Sequence, residues 1–401
     1  MKILQLCTKV PFPPKDGGAA GVYIFSKSFA QLGHSVSILA VNPKKHFISQ
    51  EALASLPPNI HVSAVNINTR PQWAGALKNL IGSRLPYQVE RFIDREFTRQ
   101  LIDILTNTRP DVIQLEGTYL CPYLPVIRKH SQAPVVLRAH NIEFTLWQNI
   151  ADNTKNLLKH WYLNLQAQRL RDYELAQFSL VDGITTVTDN DLSTIKRHKP
   201  GVRAITIPFG VEPGTTSPTN KINTKAIFFL GALDWMPNQE AIEWFVHNAW
   251  PLIHAELPEL KFHIAGRNAP ERLSVFLQNT EGIVFHGEVP DAGAFINQFD
   301  IMVCPLFSGS GIRVKIIEAM QHGKVVIASA KATAGIPAVN GKHLLLAETP
   351  HAFSEQIGQL LSDPGKAQQI SINASALVTE NFNILALTSK LIEFYNQIHN
   401  D

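Results

Sequence analysis

Hydrophobic positions along the chain follow two rhythms: short unbroken apolar runs, and longer stretches where apolar residues return every three or four positions. The N-terminal segment sets the pattern. Residues 2–7 read as a buried strand, 8–18 as a loop with Pro11, Pro13, Pro14, Gly17 and Gly18, and 19–32 as a helix carrying Val22, Phe25, Phe29 and Leu32 on one face. Gly33 supplies a helix stop, and 35–41 is the next strand. Strand, glycine-bearing loop, helix and strand make one βαβ unit and predict a parallel sheet.

The alternation continues through strands at 112–115, 135–138, 183–187 and 205–208, with a long helix at about 156–178. Residues 209–218 have the composition of a linker. A second series follows, with strands at 227–230, 261–265, 283–285, 301–304, 325–328 and 343–346. The expected architecture is α/β, with two doubly wound, Rossmann-like domains at 1–208 and 219–385 facing across a cleft. In open α/β sheets ligands bind beyond the carboxyl ends of the strands, so the informative residues should lie just past strand ends.

Composition narrows the picture. A length of 401 residues suits two domains better than one core. Hydrophobic residues make up 45% and charged residues 17%, as in soluble globular proteins. A formal net charge of +3 argues against nucleic acid as the main partner. Cys7, Cys121 and Cys304 are far apart and sit in or beside apolar runs, which reads as buried thiols rather than a zinc or redox motif. The N-terminal apolar stretch is too short for a signal-peptide core, and no run reaches the ~20 apolar residues of a membrane span. The expected location is the cytoplasm.

The loops carry the chemistry. The strand at 301–304 runs through Ser308, Gly309, Ser310 and Gly311 into a helix expected at about 312–321. Such a loop lets the backbone approach a ligand, and the free N–H groups of a helix start suit a diphosphate. Arg313 and Lys315 place cations in the first helical turns, where they oppose the helix dipole unless an anion is present. Glu318 can accept two hydrogen bonds from a ribose diol. A capped helix with a solvated basic face is the competing reading.

His140, flanked by Arg138, Asn141 and Glu143 at a strand end, suits contact with a sugar hydroxyl or a developing charge; a purely structural histidine is the alternative. Glu116 is a similar candidate, with a helix-starting carboxylate as its alternative. Gly17 and Gly18 allow close backbone approach, although paired glycines also simply make turns. The loops holding Gly266 and Arg267, and His286 to Val289, offer backbone groups to a nucleotide base. The chain has no G-x-G-x-x-G, no P-loop and no G-x-S-x-G elbow, which disfavours an NAD enzyme, and its acidic and histidine residues do not cluster at metal-ligand spacing.

Together these residues resemble the retaining family 4 glycosyltransferases of GT-B fold. The resemblance runs from Gly17-Gly18 and Leu32-Gly33-His34-Ser35-Val36, through Arg138-Ala139-His140-Asn141-Ile142-Glu143, to Gly231-Ala232-Leu233-Asp234-Trp235-Met236-Pro237-Asn238 and Lys315-Ile316-Ile317-Glu318-Ala319-Met320. It implies transfer of a sugar from a nucleoside diphosphate sugar to a glycan or lipid-linked acceptor, in cell-surface polysaccharide or glycoconjugate synthesis, with no metal or further cofactor. By the same resemblance Glu318 binds the ribose, and Gly309, Ser310 and Gly311 offer N–H groups to the diphosphate and sugar. His140 lies near the transferred sugar, Gly18 near the phosphates, and a final helix at 386–399 crosses back onto the first domain. Two features depart from the pattern. Ser310 stands where the family's E-x7-E signature has its first Glu, and the loop 235–238 lacks the Arg and Lys that many members carry. Arg313 and Lys315 are the expected substitutes for that charge. A nucleotide-sugar 2-epimerase and a non-catalytic sugar-binding protein are the alternatives.

The acceptor side is less legible. Residues 72–99 mix Trp73, Leu77, Leu80, Ile81, Leu85 and Phe92 with Lys78, Arg84, Arg91, Arg95 and Arg99. Two ordinary surface helices, or a basic amphipathic face in peripheral contact with an anionic membrane, both fit this pattern.

Overall fold

The computed structural model describes residues 1–14, 17–43, 47–49, 53, 56–212, 226–309 and 311–399. Ser310 and positions 213–218 of the expected linker therefore lie outside the described residues. The chain divides into two units, Met1–Gly210 with Ile384–Asp401, and Val211–Asn383.

The first unit is built on a parallel sheet of β1 (Lys2–Cys7), β2 (Ser35–Val41), β3 (Ile60–Val65), β4 (Val112–Glu116), β5 (Val135–Ala139), β6 (Gly183–Thr186) and β7 (Ala204–Thr206). Its strand order is β3-β2-β1-β4-β5-β6-β7. The second unit holds β8 (Ala226–Leu230), β9 (Lys261–Ala265), β10 (Ile283–Gly287), β11 (Ile301–Cys304), β12 (Val325–Ala328) and β13 (Leu345–Leu346), also parallel, in the order β10-β9-β8-β11-β12-β13. Strands β4, β5, β6, β11 and β12 are buried along their whole length. Parallel strands are covered by helices on both faces, which is why they stand out in the sequence as unbroken apolar runs.

Strand β3 is the one the apolar runs do not predict. It lies at the sheet edge, with Ile60 and Val65 buried and His61 exposed. An edge strand is only partly covered, so polar His61 and Ser63 are tolerated between its apolar residues.

The last helix, Ile384–His399, buries Leu387, Leu391, Phe394, Tyr395 and Ile398 in the core of the first unit. It packs against helix Gly17–Gln31, where the Phe29 and Tyr395 rings lie 6.2 Å apart. Gly183 makes room for it, because a Cβ there would sit 2.4 Å from Ile398 Cδ1. In both sheets the strand order reverses beside the first strand, at β1/β4 and at β8/β11. Crevices open at such switch points, beyond the strand ends.

Candidate active site

At the switch point of the first sheet, Cys7 pairs in register with Glu116, and Glu116 with Arg138. Register neighbours share a face, so Gln5, Gln114, Glu116 and Arg138 form a buried polar stripe in an otherwise apolar sheet. Ser26 Oγ donates to Gln5 Oε1 (2.6 Å), and Gln5 Nε2 donates to Glu116 Oε1 (3.3 Å). Gln114 Nε2 donates to the same Glu116 oxygen, and the Tyr395 hydroxyl donates to Gln114 Oε1. The other Glu116 oxygen lies 2.7 Å from His140 Nε2.

The Glu116 side chain is 2% exposed and that of His140 is 26% exposed, so a buried carboxylate backs a histidine that reaches the surface. Burial pushes the Glu116 carboxyl up, but the His140 hydrogen bond and the Arg138 charge outweigh it and leave it below its ordinary value. Glu116 is therefore an ionised orienting partner for His140. It ends β4 rather than starting a helix, which removes the helix-dipole reading of this residue.

A cavity of about 200 Å³ opens in front of the pair, lined among others by Gly18, Glu116, Tyr119, His140 and Glu143. Glu143 accepts from the Tyr119 hydroxyl at 2.5 Å, and burial pushes its carboxyl up. Glu174 accepts from Thr118 Oγ1 (2.7 Å) and from the backbone N–H groups of Glu143 (3.3 Å) and Phe144 (3.0 Å). It thereby satisfies the free N–H groups of helix Glu143–Asp152, directly after His140. Burial drives its carboxyl to about 7. Tyr119 and Glu174 leave no signal in the sequence, since each is an isolated polar residue that only the fold brings to the site. Gly17 and Gly18 form the first turn of helix Gly17–Gln31, not a loop before it, which corrects the expected helix start at 19. Gly18 thus faces the cavity with one of the helix's free N–H groups.

In the second unit, three strand-end loops are joined through their backbones. Gly231 N–H donates to Ala265 O (3.1 Å), Leu233 N–H to Arg267 O (2.9 Å) and Gly266 N–H to Gly287 O (2.7 Å). Gly266 has no room for a side chain, because a Cβ would lie 1.9 Å from Gly231 O. Arg267 and Val289 are both half-buried in these loops.

The loop after β11 is tied to the segment after β8 three ways. Lys315 Nζ donates to Asn238 Oδ1 (2.7 Å), Ser308 Oγ donates to Glu240 Oε2 (2.6 Å), and the Arg313 guanidinium lies 5.4 Å from the Trp235 ring centre. Gly309 takes a φ of +88°, a conformation that favours glycine. The Lys315 ammonium sits 4.0 Å from the Phe229 ring centre, and burial lowers its pKa to about 8. Gly231 leaves room for it, since a Cβ there would lie 2.7 Å from Lys315 Nζ. Lys315 thus brings a cation to the segment after β8, whose own residues 235–238 have none. Nothing local in the sequence marks Asn238 as the group that aims this cation, because it lies 77 positions from Lys315.

Arg313 is placed differently from the expectation. The helix begins at Val314, so Arg313 is its N-cap and not part of a helical turn. It is 5% exposed, with Nη1 donating to Gly311 O (2.7 Å) and Nη2 to Ser308 O (3.1 Å). It braces the glycine loop from within, where the sequence had suggested a second phosphate cation. Glu318 lies one turn beyond Lys315, half-buried, with no hydrogen-bond partner among the described residues. Burial pushes its carboxyl up to about 7. A sheltered carboxylate without donors is costly, and a ligand with two adjacent hydroxyls would offset that cost. Among the described residues, no group of three or more His, Cys, Asp or Glu is placed to hold a metal ion.

Two family models match the chain: Glycosyltransferase Family 4 over residues 15–214, and Glycosyl transferases group 1 over residues 224–363. The Klebsiella pneumoniae "uncharacterized 44.6 kDa protein in cps region" is 19% identical over 407 residues, spanning 98% of this chain and 99% of that protein. Among solved structures, Anabaena HepE in complex with UDP superposes with a TM-score of 0.68 at 14% identity, covering 99% of this chain and 100% of that one. Sucrose-phosphate synthase from Thermosynechococcus elongatus gives a TM-score of 0.70 at 17% identity, covering 99% of each chain. At such identities the likeness to solved structures speaks for the fold.

Proposed function

We propose that this chain, a glycosyltransferase of GT-B fold, moves a hexosyl group from a nucleoside diphosphate sugar to a hydroxyl of a glycan or lipid-linked acceptor, with retention of configuration. The observation that carries the donor assignment is that Glu318, without a hydrogen-bond partner among the described residues, and the half-buried Lys315 share one short helix at a strand end. In this reading Glu318 accepts from the ribose hydroxyls, and Lys315 and the N–H groups of the glycine loop face the diphosphate. Gly231, Gly266, Arg267 and Val289 lie in the loops that receive the nucleotide.

Negative charge grows on the diphosphate as the glycosidic bond breaks. A preorganised cation and N–H groups stabilise that charge without reorganising as the reaction proceeds. His140, held by ionised Glu116, is assigned to a hydroxyl of the transferred sugar. The acceptor hydroxyl attacks on the face the diphosphate leaves, and the departing phosphate takes its proton. No metal is required in this scheme. HepE, crystallised with UDP, supports a uridine nucleotide as the first donor to try. The relative from a cps region supports a role in cell-surface polysaccharide or glycoconjugate synthesis. A cytoplasmic location completes the reading.

The test is saturation-transfer NMR over a panel of nucleotide sugars, followed by turnover of the best binder with a hydroxyl acceptor. The expected product keeps the donor's anomeric configuration. Conversion of the donor to its 2-epimer without acceptor, or binding of free sugar with no affinity for any nucleotide, would overturn it.

A further inference from the structure

We propose that a face of the first unit, built from helix Trp73–Gly82 and the first turns of helix Leu157–Gln177, docks on an anionic phospholipid bilayer. The proposal does not rest on the transferase reading.

Helix Trp73–Gly82 turns Gly75 and Asn79 inward. A Cβ on Gly75 would lie 2.7 Å from the Tyr87 hydroxyl, and Asn79 is buried, accepting from Gln166 Nε2 at 3.2 Å. The helical period sends Trp73, Leu77 and Ile81 to the opposite side, where they are 84%, 51% and 81% exposed. Helix Leu157–Gln177 is bonded to the same helix, with Arg169 donating to the carbonyls of Asn79 (3.4 Å) and Leu80 (3.2 Å). Its first turns carry Leu157, Leu158 and Trp161, which are 83%, 81% and 58% exposed. Six large apolar side chains left in water on neighbouring elements mark an interaction surface rather than ordinary scatter.

Charge says what covers it. No acidic residue occurs between positions 52 and 89, where Arg70, Lys78 and Arg84 are exposed. None occurs between 153 and 171, where the charged residues are Lys155, Lys159, Arg169 and Arg171. Indole rings settle at headgroup depth, and lysine and arginine beside them meet lipid phosphates. A second copy of the chain would set this basic rim against itself, which repels. The face is narrower than the sequence suggested. Phe92 is buried, Arg91 Nη1 donates to Thr69 O (2.6 Å), and Arg99 pairs with Glu96 and Asp103. No helix among the described residues is long and apolar enough to cross a membrane, so the contact proposed is peripheral.

The experiment is co-sedimentation of the full chain, without substrate, with vesicles of phosphatidylcholine alone or with about one third phosphatidylglycerol. Binding to the anionic vesicles is expected to be about tenfold tighter or more, and to weaken with salt. Trp73→Ser/Ile81→Ser, Leu157→Ser/Trp161→Ser and Lys78→Glu/Lys159→Glu should each reduce partitioning about tenfold with the thermal transition unchanged, since all these positions are exposed. Tryptophan quenching by brominated lipid should fall with Trp73→Ser and with Trp161→Ser. Absent binding, binding indifferent to anionic lipid or to these substitutions, or a dimer in sedimentation velocity that the same substitutions dissociate while vesicles remain unbound, would each overturn the proposal.

Discussion

Lys315 Nζ lies 2.7 Å from Asn238 Oδ1, joining the helix after β11 to the helix after β8. Asn238 also donates from Nδ2 to Ala232 O at 2.7 Å, which fixes the orientation of its amide and aims the oxygen at the ammonium. One side chain thus places a half-buried cation at the switch point of the second sheet, beside the segment 235–238, which has no cation of its own.

Removing that cation tests the donor site directly. Lys315→Met should weaken binding of a nucleoside diphosphate sugar about a hundredfold, and Asn238→Ala about tenfold, because hydrogen bonds to charged groups contribute roughly 1.5–3 kcal/mol. Isothermal titration calorimetry reads both. An unchanged Kd in Lys315→Met would remove Lys315 from the phosphate site.

Donor affinity should also follow a narrow pH window. Glu318 titrates near 7 and accepts from the ribose as a carboxylate, so affinity falls as pH drops below about 7. Lys315 titrates near 8 and acts as a cation, so affinity falls again as pH rises above about 8. Glu318→Gln should flatten the acid limb, and Lys315→Met the alkaline limb. For stability the sign for Glu318 is opposite. Its folded pKa is raised, so its contribution is full below the ordinary 4.5 and is lost as pH rises toward about 7. Thermal melts of Glu318→Gln should show less loss over that interval than the parent protein.

Glu116→Gln keeps the size of the side chain and removes the charge that orients His140. Turnover should fall about a hundredfold, with the KM for donor nearly unchanged, as for loss of a positioned group at the reacting centre. Glu116 has a depressed folded pKa, so its stabilising contribution is present above the ordinary 4.5 and disappears as pH falls further. A variant with normal kcat would leave the Glu116–His140 contact purely structural.

Gly266 and Gly231 should separate stability from binding. A Cβ at 266 meets the Gly231 carbonyl at 1.9 Å, and backbone cannot swing aside as a side chain can. Gly266→Ala should therefore cost about 3 kcal/mol, seen as a lower denaturation midpoint. A Cβ at 231 meets the movable ends of Lys315 and Asn238 at 2.7 and 2.9 Å. Gly231→Ala should cost less stability while weakening donor binding, because it displaces the cation.

Much of the fold was legible because a parallel strand covered on both faces must be apolar throughout, and a helix on a sheet must be apolar at period 3.6. Edge strand β3 escaped this logic, since its exposed His61 breaks the run. The helices that start at Gly17 and Val314 begin two residues away from the expected 19 and 312, because helix ends depend on local capping that composition specifies poorly. At the candidate site, His140, Lys315 and Glu318 could be singled out from their positions just past strand ends. For Arg313 the sequence shows only a cation beside the glycine loop; that its guanidinium bonds the Gly311 and Ser308 carbonyls is a tertiary fact.

The sequence by itself determined which segments become strands and helices, and which residue types stand at the strand ends, because those are properties of neighbours along the chain. Tertiary structure alone decided which of those residues act together. Lys315 finds Asn238 across 77 positions, His140 finds Glu116 across 24, and the final helix returns Tyr395 to Gln114 across 281. Contacts of that range follow from strand order and register, which bring distant loops to one switch point and carry no local signature in the chain.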